Sequence, residues 1–448
     1  MFLSKLPILK YALPLLFITV IVSGGTALAA GANNKPQQGS QTENATEETR
    51  PFAFADAPNV KMPGDIQPTQ IVIGSHLPLT GAMASVGQEQ KWSYEKALND
   101  LNERYGGIYI AEYDRVLPVR LIILDDKSTP AGAVAATYDL ISKYKADVIL
   151  GGHTAAFGVI PGCITAEKYQ KYYHATGSFT QPWLEHNFKW STLMFVDIEL
   201  QSKVPFEIFE LFKAKQIPVK TVAIFVEDTY DGKAMAMNAR KHADQYGYVI
   251  SMEEYCLVSD NRNMDYKAQI QKAKALNTDA IILFANTAPA RDLILQMREL
   301  DFTPKVIFGF KGFWTAEFQE TMTDQMDYLV SDVHWHQSLP FKGSQELGEA
   351  FYEQFGKYSL SAGMFYAAVE TLYLAMRECA SLDSAKIRKT VGSMNFDTIL
   401  GPVSYDSRGL ALIQPMAVEF IDNRPILLYP LEYGGLEALV TDPALPKN

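Results

Sequence analysis

Short apolar runs that alternate with helix-period segments, twice over, constrain this chain most. Ile71-Val72-Ile73-Gly74, residues 119–124 and residues 148–150 are apolar on consecutive positions. Between them, Tyr94, Leu98, Leu101 and Tyr105 recur at helical spacing up to Gly106-Gly107, and a helix opened by Pro130 places Val134, Tyr138 and Ile141 on one face. The alternation restarts with strands at 222–226, 249–256, 280–284 and 306–308. Helices at 232–246 and 290–300, and one with Tyr266, Ile270 and Ala273 in register, separate them. A strand that is apolar on both faces is covered on both faces, and a helix between such strands makes them parallel. The expected fold class is therefore α/β, with two doubly wound parallel-sheet lobes. No short-period repeat points to a solenoid.

The chain has 448 residues, enough for two or three domains of about 150. Acidic residues outnumber basic ones by 51 to 40, a net charge of -11, which makes nucleic acid a poor partner. Lys5 and Lys10, the apolar stretch Tyr11 to Val22 and the small residues Ala27-Leu28-Ala29 read as a signal peptide over 1–29. The alternative, a membrane anchor, needs roughly 20 apolar residues, and this run is shorter. Residues 30–68 are polar without an apolar period and read as a flexible tether. The mature chain is thus expected to be exported. Cys163, Cys256 and Cys379 fit no zinc spacing, and an odd number leaves one unpaired. A Cys256–Cys379 bridge and buried free thiols both remain open.

Open parallel sheets bind ligands beyond the carboxyl ends of their strands. The loops of interest are 76–87, 125–129, 151–158, 175–182, 227–232, 285–289 and 309–314. They carry no nucleophile elbow, phosphate loop or dinucleotide fingerprint, so no enzyme, cofactor or metal site is expected. His334-Trp335-His336 sets two imidazoles on one strand face without a third ligand nearby. Asp125 and Asp126 are adjacent and point to opposite faces, and a helix N-cap is the default role for one of them. His153 follows a strand end and suits either the cleft or a structural role. Ser178 and Thr180 suit a carboxylate cradle or a turn. Tyr230, Thr287 and Trp314 lie on further strand-end loops.

Together these segments resemble the type I periplasmic solute-binding proteins of the leucine/isoleucine/valine-binding family. Leu77-Pro78-Leu79-Thr80-Gly81 with Gly87-Gln88 is similar to the family's opening. Leu121-Ile122-Ile123-Leu124-Asp125-Asp126 is similar to its second strand. Gly401-Pro402-Val403-Ser404-Tyr405-Asp406 with Arg408-Gly409 is similar to its C-terminal pattern. The resemblance implies a non-enzymatic, monomeric periplasmic protein that captures a small solute between two hinged lobes. It delivers that solute to an ABC permease and ATPase complex in the inner membrane; a sensory module of the same fold is the alternative.

The resemblance also implies site residues: a carboxylate held by the loop containing His153, Ala155 and Phe157 and by Ser178 and Thr180, with Tyr230 covering the ligand. The 152–158 loop departs from the pattern, because Ala155-Ala156-Phe157-Gly158 lacks the expected serine. Lys311 stands where an acid meets the ligand ammonium. Turned inward, Lys311 would repel an ammonium and favour an acid without an α-amino group; turned outward, it would do neither. The expected first lobe is 69–197 with 335–414 and the second 198–334 with 415–440, followed by a tail at 441–448.

Overall fold

Residues 68–257 and 264–442 are described by the computed structural model of the chain. The expected signal peptide and nearly all of the tether lie outside the described residues, as does most of the tail. The first run comprises β1 (Ile71–Leu77), α1 (Ala84–Tyr105), β2 (Ile108–Ile110), β3 (Arg115–Leu117), β4 (Val119–Asp125) and α2 (Pro130–Ser142). It continues through β5 (Val148–Gly151), α3 (Ile160–Lys168), β6 (Tyr173–Thr176), α4 (Thr180–His186) and β7 (Ser191–Met194). Its sheet has the order β4-β1-β5-β6-β7, with every pair parallel. All seven residues of β1 are buried, its apolar start Ile71–Ile73 and also Ser75 and His76.

The second run is α5 (Ile198–Ala214), β8 (Thr221–Glu227), α6 (Tyr230–Tyr246), β9 (Val249–Leu257), α7 (Lys267–Ala275) and β10 (Ala280–Ala285). Then come α8 (Thr287–Glu299), β11 (Val306–Lys311), α9 (Ala316–Met322) and β12 (Leu329–Val333). The chain then forms α10 (Ser344–Phe355), α11 (Ala362–Cys379), α12 (Ser384–Val391) and the short strands β13 (Phe396–Thr398), β14 (Gly401–Tyr405) and β15 (Ala411–Leu412). It ends in the hairpin β16 (Met416–Ile421) and β17 (Arg424–Tyr429). The second sheet has the order β17-β16-β12-β11-β10-β8-β9. The five strands β8 to β12 are mutually parallel, but β16 runs antiparallel to β12 and β17 antiparallel to β16. The sheet is therefore mixed at one edge, where a tight hairpin needs no helical crossover.

After β12 the chain returns to the first sheet. α11 lies along α1, with Tyr94 edge-on to Phe365 at 6.2 Å and Tyr105 stacked on Tyr373 at 6.0 Å. The connection between β12 and α10 is pinned at Trp335, which is fully buried. Its indole lies over Gly363 near the start of α11, where a Cβ would sit 2.2 Å from the ring.

Two local expectations fail, and the open question of the cysteines closes in favour of free thiols. Val134 and Tyr138 of α2 are exposed, and the buried face is Ala133, Ala136, Leu140 and Ile141. Small residues allow this helix to lie close to β1, where a Cβ on Gly74 would already be 3.1 Å from Leu140. Neither aspartate caps α2: Thr129 does, its Oγ1 accepting from Gly132 N at 3.0 Å. Asp126 instead meets His76 Nδ1 at 3.0 Å, and Asp125 accepts from the amides of Leu79 and Thr80. All three thiols are free, and Cys256 and Cys379 lie on elements of different lobes.

Replacing a helical glycine by alanine ordinarily stabilises by about 0.5–1 kcal/mol. Gly363→Ala reverses that sign, because the rigid indole of Trp335 cannot yield to the new methyl. Urea unfolding followed by circular dichroism is expected to show a loss of about 1–3 kcal/mol. A gain would mean that this contact is slack.

Candidate ligand-binding site

The carboxyl ends of both sheets open on one cavity of about 430 Å³. The residues just past β1, β5, β6 and β7 contribute Met83, His153, Thr154, Phe157, Phe179 and Phe195. The ends of β8, β10, β11 and β12 contribute Glu227, Tyr230, Asp231, Thr287, Lys311, Trp314, Asp332 and His334, and α5 adds Gln201. Of the residues expected from sequence, the structure brings His153, Phe157, Tyr230, Thr287 and Lys311 to the wall.

Ser178 and Thr180 are not among the residues that line that wall, and the expected site residue Ala155 has its side chain outside the described part of the structure. Ser178 and Thr180 are almost fully buried. Ser178 Oγ donates to the Phe179 carbonyl at 3.1 Å, and Thr180 Oγ1 accepts from Ile198 N at 3.3 Å. Their hydroxyls anchor the entry to α4 and the start of α5. Only Ser178 bonds within its own loop; Thr180 ties that loop to an amide 18 residues further along the chain. Thr287 Oγ1 likewise meets Thr315 Oγ1 at 2.8 Å within the wall.

Lys311 points inward, with its side chain 19% exposed, but it is not an unbalanced cation. Its Nζ lies 2.6 Å from Glu227 Oε2, and the Glu227 side chain is fully buried. β8 and β11 flank β10, so the two residues end strands on either side of it and reach across Ala285 to each other. The expectation that Lys311 repels a ligand ammonium therefore fails. Separated by 84 residues in the chain, its partner becomes visible only through strand order. Asp231 adds a second acid nearby; burial pushes its carboxyl up, opposed by Lys311.

Across the mouth, the Tyr230 hydroxyl donates to Glu185 of α4, so one hydrogen bond joins the two lobes. That bond raises the Tyr230 phenol and lowers the Glu185 carboxyl. At the closed end, Trp314 is ringed by His334 at 5.1 Å and His153 at 6.2 Å, and Phe195 packs on His334 at 4.6 Å. Burial lowers His153 to about 4 and His334 to about 3, so both are neutral at pH 7. Asp332 is held by the Gln201 amide through Oδ2. Burial lifts its carboxyl to about 8, against the Gln201 hydrogen bond and the nearby Lys311 backbone amide.

Five buried atoms on this wall have no hydrogen-bond partner within the protein: His153 Nδ1, His334 Nδ1, Thr154 Oγ1, Gln201 Oε1 and Asp332 Oδ1. Buried polar atoms are paired in the great majority of cases, so such a concentration marks a surface built to meet something else. His334 was visible in the sequence only as half of an imidazole pair. His336, the other half, bonds Ser338 Oγ at 2.7 Å and the Pro425 carbonyl at 3.1 Å. Among the described residues no group of side chains is arranged to hold a metal. Asp332 had a faint signal, an acid inside the apolar run of β12; Gln201 had none.

A carboxyl whose pKa is raised by folding keeps its proton in the folded state while the unfolded chain loses it near 4. Stability then falls as pH rises between the two values. Asp332→Asn removes this dependence. The stability difference between variant and parent, read from urea titrations without ligand, is expected to move in the variant's favour from pH 5 to pH 8, by at most about 1.4 kcal/mol per pH unit. A difference that stays constant would place the carboxylate in a solvated setting.

Residues 70–423 match the family described as periplasmic binding protein. An amino acid binding protein of Pseudomonas aeruginosa is 25% identical over 350 residues, covering 76% of this chain and 87% of that protein. The branched-chain amino acid transporter substrate binding protein LivJ of Streptococcus pneumoniae, solved with isoleucine, superposes with a TM-score of 0.68 at 17% identity. It covers 80% of this chain and 97% of its own. A solute binding protein of an ABC transporter from Rhodopseudomonas palustris, solved with 3,4-dihydroxybenzoic acid, gives 0.65 at 18% identity over 80% of this chain and 95% of that one. At these identities the two structures establish the two-lobed fold. The family match extends from β1 to the β16–β17 turn, through both sheets and every strand end that lines the cavity, and the chain belongs to the periplasmic binding protein family.

Proposed function

We propose that this chain is the substrate-binding protein of an ABC importer. It captures a small amino-acid-like or carboxylate-bearing solute between its lobes and presents it to a permease and ATPase complex in the inner membrane. The observation that carries this reading is the single cavity fed by strand ends of both sheets, with partnerless polar atoms on an otherwise aromatic wall. Binding sites for small solutes have this composition: apolar walls with a few placed polar groups. The relative named as an amino acid binding protein and the neighbours solved with isoleucine and with an aromatic acid support the same class. Among the described residues no helix is long and apolar enough to cross a membrane.

In this reading the jaws are 69–197 with 335–414 and 198–334 with 415–440, and the chain passes between them after β7, after β12 and before β16. His153, Phe157, Tyr230, Thr287 and Lys311 form the part of the wall that sequence could name. The protein acts by closing on its cargo rather than by changing it.

Mass spectrometry of small molecules released from the purified, denatured protein is expected to find one solute in near-equimolar amount and chemically unchanged on rebinding. Conversion of that solute to a product would sink the transport reading. Tyr230→Phe removes the hydroxyl that reaches Glu185 while keeping the ring. In stopped-flow tryptophan fluorescence it is expected to speed release of the solute several-fold with little effect on association. An unchanged release rate would show that the bond does not hold the lobes together.

A further inference from the structure

Of the five partnerless atoms of the cavity, two belong to His153 and His334, whose rings lie against Trp314, and two to the bonded pair Asp332 of β12 and Gln201 of α5. Asp332 and His334 are two residues apart and share one face of their strand. Gln201 is bonded to Asp332, and His334 and His153 both lie against the Trp314 indole. Asp332 and His334 are each 1% exposed and Gln201 is 3% exposed. Asp332 Oδ1 and Gln201 Oε1 can only accept a hydrogen bond when the carboxyl is ionised, and each lacks a donor. Trp314 and Phe195 line the same cavity, and aromatic faces favour positive charge.

The charges of the remaining wall point the same way. Glu227, Asp231 and Glu317 are acidic, and the one lysine among the lining residues is bonded to Glu227. Of the three lining histidines, burial keeps His153 and His334 neutral. Among the described residues that line the cavity there is no arginine, and the hydroxyls of Ser178 and Thr180 are engaged elsewhere. An anion without a compensating positive group would face a wall of its own sign, whereas an ammonium would find two open acceptors and an aromatic face.

Resting on the importer reading above, we infer that Asp332 and Gln201 form a cation subsite at the closed end of the cavity, and that the solute is a small amine with an apolar or aromatic body. The acid that meets the ammonium is supplied by β12, next to the strand on which Lys311 stands. The carboxyl group of the solute is then dispensable and the amino group is not.

The site also couples binding to a proton. Asp332 faces the Gln201 amide from α5, the Lys311 backbone amide from β11 and the neutral His334 on its own strand; the other charged and titratable groups of the wall are Glu227, Lys311, Asp231, Tyr230, Glu317, His153 and His186. With its carboxyl held up near 8, it is protonated in the empty protein at pH 7. An incoming ammonium, R–NH₃⁺, pairs with the carboxylate only after the carboxyl proton leaves to solvent. Binding of an amine therefore releases up to one proton, and affinity rises with pH toward 8.

The test uses matched triplets sharing one body: leucine, 3-methylbutylamine and 4-methylpentanoate; phenylalanine, phenethylamine and 3-phenylpropanoate. Each is titrated calorimetrically into the full mature chain, at pH 7, in two buffers of different ionisation enthalpy. Amine-bearing members are expected to bind at least tenfold more tightly than the deaminated acids and to release protons. Asp332→Asn is expected to cut amine affinity at least tenfold and abolish the release. Glu419→Gln, which alters a buried carboxyl on β16 away from the cavity, is expected to change neither; its pKa is likewise raised, to about 8. Tight binding of a deaminated acid by the parent would overturn the cation subsite and leave the importer reading standing. Amine binding that survives Asp332→Asn, without proton release in the parent, would overturn it too. If no member of either triplet binds, both the subsite and the proposed solute class fall.

Discussion

The contact between Lys311 and Glu227 is the interaction on which the site depends. It joins the carboxyl ends of two strands across a third, and one partner is wholly buried. An ion pair in such a place contributes little against a well-packed apolar substitute. Removing one partner, however, leaves a charge that typically costs 3–5 kcal/mol. The pair therefore fixes the register of strand ends more than it adds stability. Lys311 also adopts a left-handed backbone conformation, φ 66°, which a non-glycine residue accepts only where its surroundings enforce it. The turn that follows carries Trp314 into the cavity.

Behind the first-lobe wall, a second buried network performs the same service. His76 Nε2 meets the Tyr173 hydroxyl at 2.6 Å, and that hydroxyl donates to the Gly151 carbonyl at 2.9 Å. Asp126 holds the other ring nitrogen. Three neighbouring strands are thus tied at the point where the 151–158 loop leaves the sheet, which orients His153 and Phe157. Rigid strand ends with side chains locked from behind are what a selective cavity requires.

The fold was largely legible because fully buried parallel strands announce themselves: β5, β8 and β10 are apolar on nearly every residue, β1 on its first three, and helices of ordinary length separate them. The site was legible only as a set of loops. The rule that parallel sheets bind beyond their strand ends picked out the loops, and the family resemblance added site residues on them, of which His153, Phe157, Tyr230, Thr287 and Lys311 reach the wall. What failed was pairing. Whether the Thr180 hydroxyl faces a ligand or the Ile198 amide is decided by α5, a separate element, and the partner of Lys311 lies two strands away. Gln201 gave no signal because a polar residue on an amphipathic helix looks alike whether it faces solvent or a cavity. The antiparallel edge at β16 and β17 was hidden for a related reason: direction in a sheet is set by the connection, which a strand's own residues do not record.

The Tyr230–Glu185 hydrogen bond stands at the rim of the cavity. Both side chains are largely exposed, so water competes for each partner and the bond opens readily. It acts as a catch rather than a lock. A weak catch at the rim leaves the cargo itself as a main tie between the lobes, so the time a solute stays is set by what it meets deeper on the wall.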